Sequence, residues 1–283
     1  MRWKRARRSS NVEDRRGRRV AAGGGLGLVG IAIVMVIGLL LGKDPIEMLG
    51  LVSDMSGAAP VGEARGPAPD PDDPAIAFVE SILGETEDVW TELIGQRYPT
   101  PRLVVFSDRV QSACGGASSA MGPFYCPADQ QIYIDLSFFA EMRRSLGGGG
   151  DFAEAYVIAH EVGHHVQTVT GMSTPVTVAR RAGRNVEGSG GLLVRQELQA
   201  DCLAGVWAHH AQKRHEWLEP GDIEEALSTA TAIGDDTLQR RSRGEVVPDA
   251  FTHGSAEQRV RWFRRGFEHG ATARCDTFGA AAL

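Results

Sequence analysis

Two histidines and one glutamate in the middle of the chain have the spacing of a metal site. His160 and His164 are four residues apart, so on a helix both imidazoles lie on one face, one turn from each other. Glu161 lies beside the first histidine, where it can act as the general base on a water molecule bound to the metal. His165 falls on another side of the same helix. These residues predict a catalytic site for one Zn²⁺ ion, held by His160 and His164, with Glu161 as the catalytic base.

The residues around this motif favour a buried site over the alternative, a histidine-rich helix on the surface. Apolar residues flank the motif on both sides, and Gly163 lies inside it. Glycine costs a helix about 1 kcal/mol relative to alanine, so it is typical of a position where another backbone packs closely. We therefore expect a second element to pack against Gly163.

A catalytic zinc ion needs a third protein ligand and one open position. Further along the chain, Glu197 and Asp201 are again four residues apart and share one face of a predicted helix. We expect Glu197 to be the third ligand, and Asp201 to accept a hydrogen bond from the outer nitrogen of a zinc-bound histidine. In the alternative, both acids are exposed on their helix. The rival ligands are His209, His210 and His253.

The elements that must position these side chains are predicted from periodicity. Apolar residues recur at helical spacing after Asp73, and again in residues 152–171, 192–214, 222–232 and 255–269. Two runs rich in β-branched and aromatic residues, 102–106 and 131–135, are typical of strands. Strands early in the chain and helices later predict an α+β fold, with a small β-sheet and a mainly helical remainder.

The N-terminal region differs in composition from the rest of the chain. Nine lysine or arginine residues lie in the first twenty positions, against Glu13 and Asp14, although the whole chain has a net charge of -6. Residues 20–42 carry no charge and are long enough for a helix that crosses a membrane. The sequence thus predicts four parts: a basic cytoplasmic tail (1–19), a transmembrane helix (20–42), a flexible linker (43–73) and an extracytoplasmic domain (74–283).

A cleaved signal peptide is the alternative interpretation of residues 20–42, and it also exports the domain.

The charge distribution argues against a nucleic-acid partner. A nucleic-acid-binding surface needs positive charge on the folded part of the protein, whereas here the folded part is acidic. We therefore expect no nucleic-acid partner.

The four cysteines agree with an exported domain. Their number is even and no C-x-x-C pair occurs, which is typical of disulfides rather than of a zinc ribbon or a thioredoxin-type site. Cys114 and Cys126 enclose a short loop that contains several glycines, so we expect them to be paired, which leaves Cys202 for Cys275. Free buried thiols in a cytosolic protein are the alternative.

Together these motifs resemble those of a known bacterial family. The matching segments are ACG (113–115), GPFYCPAD (122–129), YIDLS (133–137), AYVIAHEVGHHVQ (155–167), ELQADC (197–202) and HGS (253–255). Between about Asp73 and Cys275 the chain resembles the putative neutral zinc metallopeptidases. The arrangement of Glu197 and Asp201 is also similar to that of the thermolysin-like gluzincins, although Glu197 follows the second histidine by 33 residues, a wider spacing than in thermolysin.

This resemblance implies a zincin-like metallopeptidase domain that hydrolyses peptide bonds in a peptide or protein substrate. It supports Glu197 as third ligand and Asp201 beside the histidines. It also implies that strand 131–135 is an edge strand that lines the substrate cleft, with an ordinary core strand as the alternative. His253 is a candidate donor to the developing oxyanion, and a capping or surface histidine is the alternative.

The predicted protein is therefore a membrane-anchored zinc metallopeptidase of the bacterial cell membrane. It would cross the membrane once, with its N-terminus in the cytoplasm and its catalytic domain outside. A hydrolase of cell-wall peptides would use the same site. The alternative from another class is a non-catalytic, zinc-stabilised binding or scaffold module of the cell envelope, in which a fourth side chain such as His253 closes the metal site.

Overall fold

The computed structural model of the protein describes residues 1–17, 72–146 and 149–283. These residues contain eight α-helices: α1 (Pro74–Ile94), α2 (Ser137–Glu141), α3 (Asp151–Thr170), α4 (Thr174–Arg181), α5 (Leu192–His215), α6 (Asp222–Ala232), α7 (Asp235–Arg243) and α8 (Ala256–His269). The six strands are β1 (Val12–Asp14), β2 (Arg102–Phe106), β3 (Arg109–Ser112), β4 (Gly115–Ser118), β5 (Phe124–Cys126) and β6 (Gln131–Asp135). The described residues thus combine a small β part with a larger helical part, in the order that the sequence predicts.

The main sheet has four strands in the order β1-β2-β6-β5. The first three are parallel, and β5 runs antiparallel to β6. Strands β3 and β4 form a separate antiparallel hairpin. The prediction that Gln131–Asp135 is an edge strand is therefore wrong, because β6 lies between two partners and its residues from Ile132 to Asp135 are buried. Among the described strands, β5 forms the edge on that side.

The loop between Cys114 and Cys126 contains more regular structure than the sequence indicates, since β4 and β5 lie within it. A disulfide joins these two cysteines, and a second one joins Cys202 to Cys275, as predicted. The second bridge ties α5 to the short 3-10 helix Thr272–Cys275 that follows α8. Both predicted pairings are confirmed.

Helix α5 is the centre of the helical part and packs against both α3 and α8. A buried aromatic cluster joins the three helices: the Phe152 ring lies 6.3 Å from the Trp207 ring and 6.5 Å from the Phe263 ring, measured between centroids. Helices α5 and α8 approach closely at Gly205 and Gly266. A Cβ atom at Gly266 would lie 1.9 Å from the carbonyl oxygen of Cys202, so neither glycine tolerates a side chain without moving a helix.

The N-terminal residues fold with the domain. Met1–Arg15 and Pro69–Leu283 form one compact unit, and β1 pairs with β2. This differs from the predicted basic tail, whose residues 1–19 were expected to lie apart from the domain. The physical reason is charge pairing: Arg7 binds Glu87 and Asp88 of α1. The sequence shows the positive charges but does not show that their acidic partners lie on α1.

The predicted transmembrane helix (20–42) lies outside the described residues, as does nearly all of the predicted linker (43–73). Within residues 1–17, 72–146 and 149–283, every helix is too short or too polar to cross a membrane.

Candidate metal centre

Helices α3 and α5 together supply the residues that the sequence predicts as ligands. Helix α3 carries His160 and His164, and α5 carries Glu197. The two helices approach most closely at Gly163, where a Cβ atom would lie 3.1 Å from the carbonyl oxygen of Ala200 and 3.2 Å from its Cα atom. The expectation that another backbone packs against Gly163 is confirmed, and this contact brings Glu197 next to the histidines.

The three side chains converge on one point. Glu197 Oε2 lies 3.2 Å from His160 Nε2 and 3.4 Å from His164 Nε2. One ligand atom from each of the three residues lies within 4.8 Å of the others. Zinc bonds of about 2.0–2.1 Å in tetrahedral geometry place ligand atoms roughly 3.3 Å apart. The donor set and its spacing therefore fit a zinc ion with two imidazole ligands and one carboxylate ligand.

Asp201 holds the outer nitrogen of His160. His160 Nδ1 lies 2.8 Å from Asp201 Oδ1, and since a carboxylate only accepts, Nδ1 carries the proton and Nε2 faces the other ligands. Asp201 is fully buried and accepts three further hydrogen bonds: from Tyr156 Oη (2.5 Å), Arg259 Nε (2.9 Å) and Arg259 Nη2 (2.9 Å). The structure thus places Asp201 in the position expected for it.

A second chain of hydrogen bonds holds His164. His164 Nδ1 lies 2.9 Å from Gln167 Oε1, so it donates there and leaves Nε2 for the metal. Gln167 Nε2 donates to Gln199 Oε1 at 3.0 Å, and Gln199 Nε2 donates to the carbonyl oxygen of Cys275 at 3.0 Å. Both glutamines are buried. The orientation of His164 is therefore fixed through two amides to the backbone beside the Cys202–Cys275 disulfide.

The charges around the ligands favour a cation. Burial lowers the pKa of His160, but the Asp201 and Glu197 carboxylates outweigh burial and raise this pKa to about 10. Burial raises the pKa of Glu197, but the two histidines outweigh it and hold this pKa well below its usual range. Burial also raises the pKa of Asp201, but Arg259 and His160 outweigh burial and lower this pKa to about 2. The centre therefore stabilises positive charge between ionised carboxylates, which is what a divalent cation requires.

The centre opens into a cavity of about 1010 Å³. Glu161 lies on its wall together with the three ligands, and so does His253. Phe124 and Tyr125 of the edge strand β5 line the same cavity, along with apolar residues of other elements. The structure thus brings the predicted base, the predicted ligands and the edge of the sheet to one opening.

His253 lies in the loop between α7 and α8 and is held by Asp235, the first residue of α7. Asp235 Oδ2 accepts hydrogen bonds from the backbone N–H groups of Thr252, His253 and Gly254 at 2.7, 2.6 and 3.0 Å. The side chain of His253 is 53% exposed, and its Nδ1 lies 2.9 Å from Thr252 Oγ1. His253 therefore reaches the cavity wall but lies outside the group of three ligand residues.

The other histidines near the motif have different roles. His165 Nε2 lies 2.5 Å from the carbonyl oxygen of Pro99, so this buried residue links α3 to the segment before β2, and burial lowers its pKa. His209 and His210, rival ligands in the sequence analysis, contact the carbonyl oxygens of Phe267 and Gly270 instead. Neither rival belongs to the ligand group found in the described residues.

Sequence reasoning missed four residues that support the ligands: Tyr156, Gln167, Gln199 and Arg259. The sequence held one signal for Arg259, because it lies between Ala256 and the apolar residues Val260 and Trp262 of an amphipathic helix. In the structure its side chain is only 3% exposed. Lysine and arginine are almost never fully buried unless they are paired. A buried arginine therefore requires an acidic partner, but the sequence does not say which one.

Comparison with known proteins agrees with this geometry. The family described as "Putative neutral zinc metallopeptidase" matches residues 1–278 of the chain. Uncharacterized protein YpfJ of Escherichia coli (strain K12) is 46% identical over 297 residues, covering 99% of this chain and 99% of that protein. Uncharacterized protein Mb2605 of Mycobacterium bovis is 45% identical over 205 residues, covering 69% of this chain and 68% of that protein. No solved structure matches the chain significantly.

Proposed function

The chain belongs to the family of putative neutral zinc metallopeptidases, and from this premise we propose that it is a zinc-dependent hydrolase of peptide bonds. One observation carries the proposal: His160, His164 and Glu197 present three ligand atoms, all within 4.8 Å of one another, in the wall of an open cavity. Three protein ligands leave a fourth position free, as in catalytic sites, whereas structural zinc sites have four protein ligands.

The protein's own residues divide the remaining work. Bound zinc would supply a Lewis acid for the peptide carbonyl and lower the pKa of water towards 7. Glu161 takes the proton of the attacking water and returns it to the leaving amine, so that an amine rather than an amide anion departs. It is 8% exposed and lies next to a ligand in sequence, which supports this role. His253, on the same wall, is the candidate donor to the developing oxyanion.

The substrate in this proposal is a peptide or protein segment. The cavity is large enough for several side chains, and its apolar lining by Phe124, Tyr125 and Phe138 supports binding of apolar side chains near the scissile bond. Strand β5 is an edge of the described sheet, so it is a better candidate than β6 for pairing with an extended substrate.

The test is Glu161→Gln, compared with Glu197→Gln as the matched control. Both replace a carboxylate by an amide of the same shape, but only Glu197 is a proposed ligand. With a library of fluorogenic peptides, Glu161→Gln should lower kcat by at least about 100-fold while the purified protein keeps one zinc ion. Glu197→Gln should lose the zinc. Cleavage by Glu161→Gln at the wild-type rate would remove Glu161 from the mechanism.

The scaffold alternative predicts a different metal site. X-ray absorption on the zinc-loaded protein distinguishes the two, because a catalytic site has three protein ligands and an exchangeable water, whereas a scaffold site has four protein ligands. A fourth protein ligand, with no cleavage of any peptide in the library, would favour the scaffold. Membrane attachment through residues 20–42 stays a prediction, since its basis is the uncharged stretch in the sequence.

A further inference from the structure

The segment before residue 16 is built into the domain through its backbone. Asn11 O accepts a hydrogen bond from Leu103 N at 2.9 Å, and Arg15 N donates to Val105 O at 2.7 Å, so β1 continues the parallel sheet beyond β2. Ser9 N donates to Glu80 O of α1 at 2.9 Å. The segment therefore lies between the sheet edge and helix α1 and is hydrogen-bonded to both.

The groove that receives this segment contains a buried carboxylate. Glu87 of α1 is 5% exposed, and the side chains of Ser9, Asn11 and Arg7 lie 2.6, 2.7 and 2.8 Å from its oxygens. In the described part of the chain, every side-chain hydrogen bond to Glu87 comes from residues 7–11. Burying a charge without partners costs several kcal/mol, so α1 requires this segment for Glu87 to remain inside.

A glycine on α1 makes the close approach possible. A Cβ atom at Gly84 would lie 2.3 Å from the carbonyl oxygen of Arg7 and 3.1 Å from Ser9 N. Glycine in the middle of a helix costs about 1 kcal/mol relative to alanine. Gly84 therefore makes room for the segment and lowers the stability of the helix. Its position is independent evidence that the groove is built for the segment.

We infer that residues 7–15 are a permanent part of the domain, bound to β2 and α1, and that they lie on the same side of any membrane as the metal centre. Hydrogen bonds of this length join groups in one compartment. The single crossing that the sequence predicts for residues 20–42 would place Glu87 and its three partners on opposite sides of the membrane, so the inference opposes that orientation. This inference does not depend on the proposed hydrolase activity, since neither the groove nor the segment contains a residue of the metal centre.

The compartment test uses two single-cysteine variants of the full chain. All four native cysteines are in disulfides, so an introduced thiol is the one reactive site. Ser10→Cys reports on the segment, and Lys213→Cys, exposed at the end of α5, reports on the domain. In cells with a permeabilised outer envelope and an intact inner membrane, a membrane-impermeant maleimide should label both variants or neither. Labelling of one variant alone, with both labelled after lysis, would overturn the inference.

The docking test uses limited trypsin digestion of purified protein. Gly84→Ala should expose the bonds after Arg7 and Arg8, so that cleavage there becomes faster than in the wild type. The matched control is Gly190→Ala, because a Cβ atom at Gly190 meets nothing within 4 Å. It should retain wild-type protection. If the wild type is cleaved after Arg7 and Arg8 as fast as Gly84→Ala, the segment is not permanently docked.

Discussion

The buried pair of Asp201 and Arg259 gives the sharpest test of how the centre is held. Asp201 accepts four hydrogen bonds through two oxygens, and Arg259 is 3% exposed. In Asp201→Asn, one oxygen becomes an NH₂ group that cannot accept, and the guanidinium loses its counterion. Apart from the Asp201 oxygens, Arg259 donates in the described residues only to Tyr156 Oη at 3.2 Å and to the carbonyl oxygen of Ile233 at 3.5 Å.

Removing one partner of a buried ion pair costs about 3–5 kcal/mol, because the other charge remains inside without compensation. We therefore expect Asp201→Asn to lower the free energy of unfolding by about that amount in urea titrations of the zinc-free protein. Loss of a residue that orients a metal ligand typically weakens metal binding by about 10–100-fold. Competition with a chelator should show a decrease of this size in zinc affinity.

The double variant Asp201→Asn with Arg259→Met separates the two effects. It removes the unpaired cation, so it should regain most of the unfolding free energy while zinc affinity stays low, because His160 still lacks its carboxylate. Glu257→Gln is the surface control: its partner Arg261 is exposed, and such pairs contribute about 0–1 kcal/mol. If Asp201→Asn unfolds within about 1 kcal/mol of the wild type, the proposed role of the pair is wrong.

Three further variants test other parts of the centre. Gly163→Val should push α3 from Ala200, lower the unfolding free energy by about 1–3 kcal/mol and weaken zinc binding; wild-type zinc affinity in a chelator titration would contradict this. Gln167→Leu removes the acceptor for His164 Nδ1, so zinc affinity should fall about 10–100-fold, and an unchanged affinity would show that Gln167 does not orient the ligand. Burial raises the pKa of Asp235, but His253 and backbone N–H groups outweigh burial and lower this pKa below its usual 3.8. The ionised Asp235 carboxylate therefore stabilises the folded protein fully above pH 3.8, and this stabilisation is lost as the pH falls through the folded pKa. Asp235→Asn should thus unfold about 1–3 kcal/mol more easily than the wild type at pH 6, and the difference should shrink below pH 3.8; a difference that does not depend on pH would contradict this.

The parts of the site that the sequence predicted are those encoded by local geometry. The pairs His160 with His164 and Glu197 with Asp201 each lie on one helix, so a spacing of four residues is enough to place them on one face. The helices predicted over 152–171, 192–214, 222–232 and 255–269 were located to within one residue at each end for the same reason, whereas only the start of α1 was predicted. The disulfides followed from the small number of possible pairings among four cysteines.

The parts that the sequence did not predict depend on packing between distant segments. Arg259 meets Asp201 only because Gly205 and Gly266 let α8 approach α5, and no local pattern contains that contact. Helix α7 is short and mostly polar, so apolar periodicity did not reveal it. From the sequence, the basic N-terminal residues could either flank a membrane helix or pair with acidic residues of the domain. Their acidic partners on α1 lie more than 70 residues away, so no local pattern distinguishes the two.

The C-terminal region orients both histidine ligands although it supplies no ligand itself. His160 is held through Asp201 to Arg259 of α8, and His164 through Gln167 and Gln199 to the carbonyl group of Cys275. Each chain of hydrogen bonds ends on a group that can act in one way only, a guanidinium that donates or a carbonyl that accepts. Both imidazoles therefore keep a proton on Nδ1, so Nε2 is the nitrogen that would bind a metal. The motif on α3 is thus necessary for the centre, but its preorganisation depends on the packing of α8 and on the disulfide that fixes Cys275 to α5.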